Sequence, residues 1–156
     1  MATLTVTHTE ALTLNGKQLG GTNTFNITGV DMSYSRIMKC TANQRTTLVN
    51  FRTNEHDADS AVDTQEVKYV RVTNLETTNS LNLGINGDSG ESTGDQNNTI
   101  LLAAGESYVM GVASNGMKAK ASDASTSGTL DNVVSLEVHP GSNSVSVEIF
   151  VAGSES

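Results

Sequence analysis

The chain has 156 residues, of which 36% are hydrophobic and 17% charged, with a formal net charge of −8. That length predicts one domain, residues 1-156, with a folded surface of roughly 7,500 Å² and enough buried area for a core without disulfides or metal. Nine Lys and Arg against 17 acids leave no basic face for nucleic-acid phosphate or an anionic membrane surface.

No apolar run approaches the roughly 20 residues of a transmembrane helix. Met1-Ala2-Thr3-Leu4-Thr5 lacks the basic and apolar regions of a secretory signal, so synthesis in a cytosol is expected. The single Cys40 excludes an internal disulfide framework and a CxxC pair.

In chain order the hydrophobic period is two, which marks strands rather than helices. Leu4, Val6 and His8 alternate with Thr3, Thr5 and Thr7, and residues 1-10 form either a strand or an extended N-terminal arm. Asn15-Gly16 is a tight-turn dipeptide, because both residues tolerate positive φ. Phe25 and Ile27 follow in strand phase. Met32, Tyr34, Arg36, Met38 and Cys40 oppose Ser33, Ser35, Ile37 and Lys39. Thr47, Val49 and Phe51 form a further short set, and Glu55–Val67 holds the one weak helix candidate.

Val67–Val72 is apolar on both faces, as a central strand should be. Leu81, Leu83 and Ile85 alternate with Ser80, Asn82 and Gly84, after which Asn86-Gly87 reads as a turn. Polar loops are expected over Asn86–Asn98 and Ser114–Gly128, with Tyr108, Met110 and Val112 in strand phase between them. Val145, Val147, Ile149 and Val151 give the cleanest alternation. The fold class is therefore all-β: a β-sandwich or jelly roll of about eight to ten short antiparallel strands with minimal helix.

Candidate chemistry is sparse. Gly87-Asp88-Ser89-Gly90 matches the core of a serine-protease nucleophile motif, but Glu91 stands where that motif has Gly. Neither His8 nor His56 has the flanking residues of its base. Asp57 and Asp59, and Asp88 with Asp95, are weak calcium candidates. Their spaced carboxylates suit a hard cation, yet the Asp57–Asp59 stretch lacks the turn glycine and distal Glu of an EF-hand. His8, His56 and His139 lie too far apart for zinc-ligand spacing. Cys40 falls on the apolar phase of its strand and reads as a buried, inert thiol. Six aromatic residues, mostly in strand phase, give no stacking platform for sugars or single-stranded nucleic acid. No nucleophile, base and oxyanion donor come together. An enzyme is not expected, and no cofactor is implied.

Three segments carry a resemblance. Val67-Lys68-Tyr69-Val70-Arg71-Val72-Thr73-Asn74-Leu75-Glu76-Thr77-Thr78, Leu101-Leu102-Ala103-Ala104-Gly105-Glu106-Ser107-Tyr108-Val109 and Val145-Ser146-Val147-Glu148-Ile149-Phe150-Val151-Ala152 resemble stretches of small virion structural proteins of tailed bacteriophages, marine and cyanobacterial phages especially. The resemblance implies a virion protein assembled in the host cytoplasm, with a capsid decoration (cement) role ahead of a neck or tail one. Its partners would be the major capsid protein, or neck and tail subunits, and further copies of itself. A receptor- or glycan-binding tail module, with or without calcium, is the alternative.

Surfaces rich in Ser, Thr, Asn and Gly lose little side-chain entropy on packing against a neighbour, which suits such a role. Thr3, Leu4, Thr5, Val6 and Thr7 are the candidate partner-binding residues, as an arm that could join a neighbour's strand edge.

Overall fold

The computed structural model describes residues 1–51, 62–88, 96–111, 117–119 and 131–154. All regular structure among them is β-strand. The strands are β1 (Ala2–Thr9), β2 (Leu12–Leu14), β3 (Lys17–Leu19), β4 (Thr22–Val30), β5 (Met32–Cys40), β6 (Thr46–Asn50), β7 (Val67–Asn74), β8 (Leu81–Asp88), β9 (Gln96–Leu102), β10 (Ser107–Gly111), β11 (Lys118–Ala119), β12 (Asp131–Pro140) and β13 (Val145–Gly153). The count exceeds the sequence expectation because β2, β3 and β11 are only two or three residues long. Such segments are too short to show a period of their own.

Two antiparallel sheets face each other. One has the order β10-β7-β13-β5; the other runs β11-β12-β8-β9, with β6 also on β12. Between them lies one core of Val70, Val72, Val147, Ile149 and Val151 against Leu81, Leu83, Ile85, Leu102, Leu136 and Val138. The sandwich predicted from the period-two pattern is the fold observed. β7 is central, flanked by β10 and β13, and this accounts for its two apolar faces.

Three local expectations fail for physical reasons. Asn86-Gly87 is not a turn: β8 runs through it, and Asn86 Nδ2 donates to Ser135 Oγ at 2.8 Å across the β8–β12 ladder. The ladder supplies partners that the dipeptide alone does not reveal. In β6 the buried residue is Leu48 rather than Thr47 or Val49, because the register with β12 skips Leu48 and leaves it as a bulge. In the helix candidate, the described part, residues 62–66, is turn rather than helix, held by Thr64 Oγ1 donating to the Val133 carbonyl at 2.7 Å.

Asn74 ends β7 fully buried. Its amide nitrogen donates to the carbonyls of Asn79, Leu102 and Ala103, and its side-chain oxygen accepts from the Glu76 N–H. Its backbone pairs with Gly105 and Glu106. Glu76 in turn accepts from the Ser146 N–H at 2.7 Å. Segments 67–78, 101–109 and 145–152 thus meet at one partly buried polar knot.

Candidate assembly surface

Outside the sandwich, residues 2–30 build a second structure. β1 pairs antiparallel with β4, and β2 pairs with β3. Glu10 N–H donates to the Gly21 carbonyl between the two ladders. From Thr3↔Thr28 to Leu14↔Lys17 the pairs keep one register, symmetric about Asn15-Gly16. Asn15 (φ 51°) and Gly16 (φ 75°) are both left-handed, as a two-residue type I′ hairpin turn requires. The result is one long hairpin with roughly a dozen residues per arm, about 40 Å from base to tip.

The first ten residues are accordingly one strand of a ribbon and not a lone extended arm. Thr5 Oγ1 donates to Asn26 Oδ1 at 2.9 Å, and the Thr7–Thr24 and Thr9–Thr22 hydroxyl pairs lie at 3.1 and 3.3 Å. The opposite face of the ribbon is apolar. Val6 and Val30 form a small second core with Tyr69 and Ala152, and Leu4, Phe25, Ile27, Val109 and Phe150 pack against it. His8 stacks on Phe25, with ring centroids 5.9 Å apart and planes 8° apart. The base of the hairpin therefore covers part of the outer face of the β10-β7-β13-β5 sheet.

Its far end covers nothing. Every residue from Thr7 to Thr24 is exposed. Leu12, Leu14 and Leu19 are 54%, 53% and 42% exposed. Leu12 is paired with Leu19, and Leu14 is two residues from Leu12, so all three share one face of the tip.

Between β1 and the outer face of the sheet is an open cleft of about 710 Å³. Leu4, Thr5, Val6, Thr7 and His8 all border it, together with Tyr69, Arg71, Ser107, Val109 and Phe150. Consecutive residues of a strand point to opposite faces. A wall made of five in a row is therefore the edge of β1, which has no partner strand on that side among the described residues. Arg71 contacts Glu148 Oε2 at 2.5 Å through Nη2, while its buried Nε–H has no hydrogen-bond partner among the described residues.

Of the expected partner-binding set, Leu4 and Val6 are turned inward, Thr5 and Thr7 are engaged across the ribbon, and Thr3 is exposed. All but Thr3 also border the cleft. What the sequence reading missed is the strand opposite them. The signal was there: the threonines of β1 and β4 mirror each other about Asn15-Gly16.

The calcium candidates Asp57, Asp59 and Asp95, along with His56 and Ser89, lie outside the described residues; Asp88 ends β8, and its side chain is likewise outside the description. Among the described residues no three His, Cys, Asp or Glu side chains come together in a metal-binding group. Cys40 is fully buried. Burial pushes its thiol pKa up, against a smaller lowering by a hydrogen bond with Thr46. His139 lies on the outer face of the other sheet, beside a shallow polar hollow that also involves Arg45 and Glu137, an ion pair at 3.4 Å. Among the described residues no helix is long and apolar enough to cross a membrane.

No protein-family model and no curated protein matches the chain. Among solved structures it is similar to a chain reported under the description "Bacillus endospore appendages form a novel family of disulfide-linked pili". The TM-score is 0.45 at 10% identity, over 80% of this chain and 88% of that one.

Proposed function

We propose that this protein is a non-enzymatic structural subunit of a tailed-phage particle, binding the assembled shell as a capsid decoration protein. The observation that carries the assembly role is the hairpin of residues 2–30. Its base packs on the sandwich, while its outer part stands in solvent with three leucines on one face. An isolated two-stranded hairpin is marginal in water. A chain that presents one in this way has a use for it in contact with another subunit. The virion setting rests on the three resembling segments, and the weakly charged Ser/Thr/Asn surface suits packing in a lattice.

The test is co-sedimentation of purified protein with expanded, undecorated capsids. Binding at a fixed stoichiometry that saturates is the expected result. Absence of binding to capsids, together with co-purification with tails, overturns the decoration role.

A further inference from the structure

We propose that the leucine tip of one copy docks in the β1 cleft of a second copy of this chain, with β2 of the incoming hairpin extending the free edge of β1. The proposal rests on the assembly role of the hairpin but not on the virion setting, and it names the hairpin's first partner as the chain itself.

Three observations converge on that occupant. The tip is apolar on one face, through Leu12, Leu14 and Leu19. The cleft is concave, and Tyr69, Val109 and Phe150 line it beside the polar Arg71 and Ser107. One wall of the cleft is a strand edge whose backbone groups call for a strand, and β2 has such an edge free because, among the described residues, it pairs only with β3. An added β2 would set Leu12 and Leu14 on that lining and leave Thr13 pointing away, since alternate side chains share a face.

A head-to-tail contact uses two different patches on each copy, tip and cleft. Such a contact is heterologous, so it propagates into a ring or an open row instead of stopping at a pair. A tip-to-tip pairing would bring the leucines together but would leave the cleft unfilled.

Two measurements in solution, with no capsid present, test this. In a Cys40→Ala background, one copy carries Gln18→Cys at the tip and a differently tagged copy carries Ser107→Cys at the cleft; the two are mixed with a short bismaleimide. The expected product is the mixed cross-link, with little product from either variant alone. Tip-to-tip product from Gln18→Cys alone, at a yield equal to the mixed one, overturns the proposal.

Light scattering should show the wild-type mass rising above 16.4 kDa with concentration. The triple variant Leu12→Thr, Leu14→Thr, Leu19→Thr keeps strand propensity and raises the dissociation constant by about tenfold or more. Wild-type protein that stays monomeric up to about 1 mM overturns the proposal. A triple variant that no longer self-associates yet still saturates capsids leaves the decoration role intact. Self-association without any capsid binding leaves the tip-in-cleft contact intact and removes the decoration role.

Discussion

Asn74 is the side chain on which most of one end of the sandwich depends. A buried amide that meets three carbonyls and one N–H gives up little by leaving water, but its loss orphans all of them. Replacing Asn74 with Ala should cost about 2–3 kcal/mol, read as a Tm lower by about 5–10 °C for a chain this size. An unchanged Tm would mean that water re-satisfies the carbonyls of Leu102 and Ala103.

Cys40 and Tyr108 both have pKa values raised by burial, above ordinary values of 9.0 and 10.0. Above pH 9 the unfolded chain releases these protons while the folded chain keeps them, so the folded state binds more protons and stability falls as pH rises. The expected melting curve against pH is flat up to about 9 on this account and declines beyond it, and Cys40→Ala should flatten the first part of the decline. An identical alkaline slope in that variant would exclude Cys40 as its source.

At the level of single elements, the hairpin depends on its joint. Gly20 has φ 102°, and a Cβ there would lie 2.5 Å from the Glu10 carbonyl oxygen. Both the backbone strain and the clash fall where the β1–β4 ladder passes into β2–β3. Gly20→Ala should therefore break the Glu10–Gly21 bond and uncouple the tip, erasing amide-exchange protection in residues 12–19. The sandwich, which makes no contact through Gly20, should keep its Tm within about 2 °C. Retained protection at the tip would show that the joint tolerates a side chain.

The elements also differ in how far the sequence revealed them. β13 and β8 were legible because each has one face in the core and a strict alternation follows from that. β6 was not, since its bulge moves Leu48 inward and inverts the phase. The Asn86-Gly87 dipeptide misled because a turn preference of this kind yields to a ladder that offers Asn86 a buried hydroxyl partner.

For the molecule as a whole, the sandwich and the ribbon follow different rules. The sandwich is held by a shared apolar core and closes on itself. The ribbon is held at its base by Val6, Val30, Tyr69 and Ala152 and along its arms by hydroxyl and backbone pairs. Of the candidate site, the sequence identified the β1 residues and the Asn15-Gly16 turn but not the strand that β1 pairs with. It gave no sign that Tyr69, Arg71, Val109 and Phe150 would form a floor beneath them.

The sequence by itself determined the all-β class, the faces of the long strands and the tight turn at the hairpin tip. Each of those is a local consequence of side-chain alternation and backbone preference. Only the tertiary structure decided that three leucines would remain in water and that a free strand edge would border a cleft. Exposure and edge pairing depend on where distant segments come to lie, and no local pattern encodes that.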